Sequence, residues 1–304
     1  MQTCPKTSVQ YCSAFLSPND AHNLYKFASG LDNYKRESGT QTCKSTKKVE
    51  KLEFALQRVL EDGGSHTTVQ AHYYWGQHLS DSLFAETNLP KAILDLRQLI
   101  ITSLKLPETI TLCHKPNSIA HSQVGDSVPI LNSITINRYD GVDDVVTPHH
   151  GEASEASEPW WRREIYTLNL LTASFVLLGA DGQAGDPGTP GAQKALVDGT
   201  SIFSVTVCDP GAERRIELHE VVKTKAEKIP VYSQVLENGS LFELNAEANR
   251  TYKHSIPAPE KRKREAGGVR YAFLFRTAME VTVEKLQQRK MEGDKKVAEK
   301  AKTK

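Results

Sequence analysis

Excess charge of either sign is missing from this 304-residue chain: 38 Lys and Arg stand against 37 Asp and Glu, a formal net charge of +1. That balance excludes a histone-like binder of nucleic acid, whose affinity rests on a large positive surplus. Cysteine is sparse. The five residues Cys4, Cys12, Cys43, Cys113 and Cys208 are scattered, odd in number and without a Cys-x-x-Cys pair. A zinc ribbon and a thioredoxin-type motif are thereby excluded, and the thiols read as the reduced ones of a nuclear or cytoplasmic protein. Long apolar runs are also lacking. The most apolar stretch, Leu168–Ala180, is too short to span a bilayer and carries Asn and Thr. The opening MQTCPKTSVQ has neither the charged start nor the apolar run of a signal peptide, so no membrane association is expected. No internal repeat is present. What remains is ordinary for a packed chain, with 38% hydrophobic and 25% charged residues. The length fits two domains, or one large β-rich domain with additions.

Local signals divide the chain near residue 130. Before it, Ser17, Pro18 and Asp20 predict a helix over 15–29. The serine caps it, the proline suits its first position and the aspartate complements its dipole. A second helix is expected over 49–61, ended by Asp62-Gly63-Gly64, and a third over 90–104. After residue 130, β-patterned runs follow at 133–139, 164–178, 201–208, 214–222, 231–236, 240–244, 251–256 and 269–276, separated by Gly, Pro and Asp. Such spacing argues for an antiparallel sandwich or barrel. Three parts are expected: a mainly helical region (1–129), a β domain (130–283) with a long insertion at 179–230, and a charged basic tail (284–304).

Four segments carry chemistry. In NSITINRY, Asn137 and Tyr139 project from one face of a strand. In VTPHHGE, His150 and Glu152 place an imidazole and a carboxylate on the same side of an extended segment, with His149 beside them. His254 lies on a short β run stopped by Pro257. Two histidines and one carboxylate make the facial triad of non-haem Fe(II) oxygenases, which leaves positions open for substrate and O₂. In VRYAFLFR, Arg270 and Arg276 are six apart and share a face, with Tyr271, Phe273 and Phe275 on the other. Two inward arginines need anionic partners, and a dicarboxylate cosubstrate satisfies them through the guanidinium fork. Each segment also has a plainer reading: a solvated polar strand, a polar loop, a structural histidine, and an edge strand with two solvated arginines.

Taken in order, NRY, His-x-carboxylate, GSLFEL, HSIP and R-x5-R resemble the AlkB-type Fe(II)/2-oxoglutarate dioxygenases over roughly residues 130–277. The resemblance implies a β-rich α+β protein: a double-stranded β-helix, or jelly-roll, core with N-terminal helical support and lid elements. It implies Asn137, Tyr139 and Arg270 on the distal carboxylate of 2-oxoglutarate, Arg276 facing the carboxylate nearer the metal, and His254 as the second iron-binding histidine. The cofactors would be Fe(2+), 2-oxoglutarate and O₂. The reaction would be hydroxylation of an N-alkyl group, methyl foremost, which is then lost as an aldehyde. Methylated bases in DNA or RNA are the expected substrates, though some family members act on proteins. Tyr73, Tyr74 and Trp75 fall where the family carries a substrate-covering lid, where they would stack on a base or else pack in the core. Lys261–Arg264 reads as a phosphate contact, a nuclear address or a solvated loop.

The family's His-x-Asp is absent, and three arrangements fit what stands in its place. His150 and Glu152 bind iron, the leading arrangement. Alternatively His149 is the ligand, with Gly151 leaving the carboxylate position empty or Glu152 reaching in. Or the site is degenerate, and the chain is a binding module for nucleic acid or a protein partner. Retention of both arginines, NRY and His254 favours an enzyme, because a pocket without cosubstrate leaves those buried charges costly.

Overall fold

Two runs of alternating side chains, 133–139 and 270–276, pair with each other and organise the molecule. A computed structural model describes residues 2–4, 9–32, 34–36, 50–71, 88–112, 121, 123–140, 146–149, 197, 200–220, 229–258 and 268–285, and in the tail 287–288, 291–292, 295 and 299. The first elements are β1 (Gln2–Cys4), β2 (Val9–Cys12), α1 (Pro18–Ser29), β3 (Lys35–Arg36), β4 (Glu50–Ala55), β5 (Gln57–Asp62), β6 (Ser65–Ala71), α2 (Lys91–Leu104), β7 (Thr109–Thr111) and β8 (Ser127–Pro129). There follow β9 (Ser133–Tyr139), β10 (Val146–His149), β11 (Ile202–Cys208), β12 (Arg214–Glu220), β13 (Tyr232–Leu236), β14 (Ser240–Leu244), α3 (Ala246–Thr251), β15 (Tyr252–Ile256), β16 (Arg270–Arg276) and β17 (Glu280–Thr282).

The protein is β-rich, with antiparallel sheets and few helices among the described residues, as a β-sandwich requires. An eight-stranded sheet runs β1-β2-β14-β11-β16-β9-β4-β3, and a four-stranded sheet runs β10-β15-β12-β13. A three-stranded sheet, β17-β6-β5, and the pair β7-β8 are the other sheets among the described residues.

Both faces of the large sheet are covered. On one, Ile134, Ile136, Phe203, Val205, Phe273 and Phe275 pack beneath Ala21 and Leu24 of α1 and Ile93 and Ile100 of α2. On the other, Tyr139, Phe242 and Ala272 pack against Ile216, Leu218, Leu236 and Ile256 of the four-stranded sheet. Double coverage explains why all seven residues of β11 are buried rather than every second one. It also means that a polar side chain on either face has left water and needs a partner.

Helices α1 and α2 form where capping and periodicity place them. The Ser17 hydroxyl accepts a hydrogen bond from Asp20 N at 3.2 Å, closing the first turn of α1. The expected helix over 49–61 is instead β4 and β5. Val49, Leu52, Leu56, Val59 and Leu60 fit a helical stripe, but Leu52 and Phe54 also alternate. Pairing of Leu52 with Ile136 and Phe54 with Ile134 in the ladder decides for the strand. Asp62-Gly63-Gly64 is then a hairpin turn and not a helix stop. Asp62 pairs with Ser65, and Gly63 and Gly64 take φ of 51° and 93°, the geometry of a two-residue loop. Region 1–129 thus holds two helices and the eight strands β1 to β8 among its described residues. Residues 202–220, inside the expected insertion, form β11 and β12, each with neighbours on both sides. The run 164–178 lies outside the described residues. No helix among the described residues is long and apolar enough to cross a membrane.

Candidate functional site

The ladder between β9 and β16 sets Arg270 opposite Tyr139, Ala272 opposite Asn137, Leu274 opposite Thr135 and Arg276 opposite Ser133. On the other flank of β16, Cys208 stands opposite Arg270 and Thr206 opposite Ala272. These side chains share the face that looks toward the four-stranded sheet. Arg270 is 1% exposed, and Tyr139, Asn137 and Arg276 are 3%, 4% and 4% exposed. The solvated-strand and edge-strand readings therefore give way: β16 lies between β11 and β9, in the middle of the large sheet.

The guanidinium of Arg270 lies over the Tyr139 ring, 4.7 Å from its centroid, and Nη2 donates to Thr206 Oγ1 at 3.0 Å. Its Nε and Nη1 are buried with no hydrogen-bond partner among the described residues. A buried cation with unpartnered N–H groups is costly unless an anion meets them. Arg276 donates from Nη1 to Thr135 Oγ1 at 3.0 Å. These two threonines reveal a direction. Thr206 is level with residue 272 and Thr135 with residue 274, so each arginine leans along β16 toward the other. Their Cα atoms are about 20 Å apart along the strand, and the lean brings the charged ends inward. Thr135 shares the strand face of Asn137 by the sequence alternation alone, whereas nothing in the motifs singles out Thr206. Their signal was the alternation of Ser204 with Thr206 and of Ser133 with Thr135 within apolar strands.

His254 stands opposite Leu218 in the β12–β15 ladder and so shares the inward face of the smaller sheet with Leu218 and Ile256. In the β10–β15 ladder His149 holds the position directly opposite His254, after a register shift between Val146 and His149. Residues directly opposite in a ladder share a face. His150 and Glu152 lie outside the described residues, as do Tyr73, Tyr74, Trp75 and Lys261–Arg264. Among the described residues no three His, Cys, Asp or Glu side chains gather as metal ligands. His219, next along β12, lies on the opposite face, with Nε2 at 3.0 Å from Ser255 Oγ and 3.3 Å from Glu217 Oε2, and takes no part in this group.

Neighbouring groups hold the Arg270 end of the sheet rigid. Burial pushes the Cys208 thiol up to about 12 against the pull of the Arg270 cation, so it stays neutral beside the arginine. Asp209 Oδ2 accepts from Tyr25 Oη at 2.7 Å and from Val269 N at 2.9 Å, tying α1, the β11–β12 turn and the start of β16 together. Burial, then that bond to Asp209, push the Tyr25 hydroxyl well above its ordinary range. Between β13 and β14, Asn238 Oδ1 accepts from Cys208 N at 3.0 Å. Gly239 there has φ of 76°, and a Cβ on it would meet Leu16 O at 3.3 Å, a place for glycine alone. No family model matches this chain, and no curated protein matches it.

Proposed function

We propose that this protein is an Fe(II)- and 2-oxoglutarate-dependent dioxygenase that removes N-alkyl groups, methyl foremost, from nucleobases of DNA or RNA. The observation that carries the reading is Arg270: a guanidinium withdrawn from water, lying over the Tyr139 ring, with two nitrogens unpartnered among the described residues. A carboxylate is the ligand that such a group favours. Arg276, leaning in from the other end of β16, gives a second anchor, and two anchors on one face match a dicarboxylate. Strand order supports a double-stranded β-helix. From β9 to β16 the chain passes back and forth between the sheets, with β9, β11, β14 and β16 in one and β10, β12, β13 and β15 in the other.

In this reading Arg270, Asn137 and Tyr139 hold the distal carboxylate and Arg276 faces the one nearer the metal. Tyr139 bounds the Arg270 guanidinium on one side, Thr206 fixes its position along β16, and exclusion of water strengthens each hydrogen bond it offers. His254 holds Fe(II) together with Glu152 and one of His149 and His150; the ladder position opposite His254 supports His149. Iron, when bound there, supplies activation of O₂ with electrons drawn from 2-oxoglutarate. Tyr73, Tyr74 and Trp75 take the flipped or single-stranded base, and Lys261–Arg264 take phosphates. A nuclear or cytoplasmic protein meets such a substrate.

Calorimetry tests the anchor. Arg270→Ala is expected to weaken 2-oxoglutarate binding by about 2–5 kcal/mol, the scale for removing one partner of a buried charge pair. Unchanged binding removes the anchor role. Conversion of 2-oxoglutarate to succinate, with added iron and with or without methylated oligonucleotides, then tests turnover.

A further inference from the structure

We propose that Thr206 is a positioning residue whose hydroxyl sets the reach of Arg270 and thereby the chain length of dicarboxylate that the two arginines accept. The inference rests on the cosubstrate reading above and adds to it a residue outside the R-x5-R strand. Thr206 is fully buried in β11, held in the ladder between Ser240 of β14 and Ala272 of β16. Its carbonyl accepts from Gly239 N at 2.8 Å, so the backbone beneath the hydroxyl is fixed on a second side. As a β-branched residue on a strand it has few side-chain rotamers open to it.

Arginine has five N–H donors and a long, rotamer-rich stem, so burial alone does not determine where its charge sits. Two contacts do that here. The Tyr139 ring, its centroid 4.7 Å from the guanidinium carbon, bounds the group on one side, and the bond from Nη2 to Thr206 Oγ1 fixes its position along β16. Because Thr206 is level with Ala272 and not with Arg270, that bond draws the guanidinium toward Arg276. Nε and Nη1 are then left to face a ligand. Without the hydroxyl the stem is free to withdraw, the gap between the charged ends widens, and the preference for one chain length is lost. A threonine that merely satisfied a buried donor would affect stability and leave that preference untouched.

The experiment titrates the full chain with oxaloacetate, 2-oxoglutarate and 2-oxoadipate, 2-oxo diacids of four, five and six carbons, and compares dissociation constants. The wild-type chain is expected to bind the five-carbon acid tightest. Thr206→Val, isosteric but without the hydroxyl, is expected to weaken 2-oxoglutarate about tenfold, the scale of one hydrogen bond to a charged group. It is also expected to bring its affinity for the six-carbon acid up to that for the five-carbon one. Thr206→Ser, which keeps the hydroxyl, is expected to retain the wild-type order. Thr206→Ala carries the same expectation as the valine and serves if Thr206→Val does not fold. Should the hydroxyl-free variants keep the wild-type ratio between acids, Thr206 does not position Arg270, although the cosubstrate reading stands. Should the wild-type chain bind none of the three acids, the cosubstrate reading fails and the inference with it.

Discussion

Arg270 and His254 face each other's sheets as the two chemical poles of this interior, one a buried cation and the other a half-buried imidazole. The ladder sets His149 in register opposite His254. Iron binding measured anaerobically on single variants separates His149 from His150 as the ligand. His254→Ala and His149→Ala are each expected to abolish stoichiometric iron binding, since loss of a ligand costs more than the roughly 10–100-fold of an outer-shell change. His150→Ala is expected to retain it. Glu152→Ala should lose iron and Glu152→Asp keep part of it, because the carboxylate survives one methylene shorter. The reverse pattern, with His150 essential and His149 dispensable, assigns the ligand to His150. If all of these variants keep iron binding as it was, the metal site is elsewhere.

At the scale of elements, an ion pair spans the three-stranded sheet β17-β6-β5 in addition to its backbone ladders. Arg58 of β5 reaches across β6 to Glu280 of β17, donating from Nε at 2.7 Å and Nη2 at 2.5 Å. Glu280 is 1% exposed, so its carboxylate has no recourse to water. The carboxylate in turn holds the Arg58 guanidinium above its ordinary value. Arg58→Met is expected to destabilise the protein by about 3 kcal/mol in urea denaturation, the low end for stranding a buried charge because Arg58 itself is part exposed. The double variant with Glu280→Gln should recover most of that loss. A single-variant change under about 0.5 kcal/mol, the range of an ordinary surface substitution, would show that the pair does not hold the sheet.

For the whole molecule, the packing of α1 and the sheets makes stability sensitive to alkali. Burial raises the hydroxyls of Tyr25, Tyr34 and Tyr271, and raises the Cys208 thiol from 9.0 to about 12. Each group keeps its proton longer folded than unfolded. Its stabilising contribution is therefore whole below the unfolded value, near pH 9 to 10, and is lost as pH rises through the folded one. The urea midpoint is expected to fall between pH 8 and pH 10.5. Tyr34→Phe, which also loses the bond from Tyr34 Oη to Ala28 O at 3.0 Å, should start lower and fall less steeply. A midpoint flat across that range would contradict the assigned burial of these groups.

Much of this was legible in the residues alone. Ser17, Pro18 and Asp20 determine the start of α1 by local hydrogen bonding, whatever the rest of the chain does. Strands β9, β11, β12, β13, β14, β15 and β16 announce themselves by period and by turn residues, whereas β10 lies in a segment without such a pattern, and six-residue spacing alone puts Arg270 and Arg276 on one face. Cross-strand partners are another matter, because sequence carries no record of which segment lies alongside. Leu52 and Phe54 suited a helix or a strand equally until β9 lay beside them. Asn137 and Tyr139 could have faced water until the second sheet covered them. Thr206 is more than sixty positions from Arg270, and His149 more than a hundred from His254. Only register, fixed by strand pairing within each sheet, sets Thr206 beside Ala272 and His149 opposite His254.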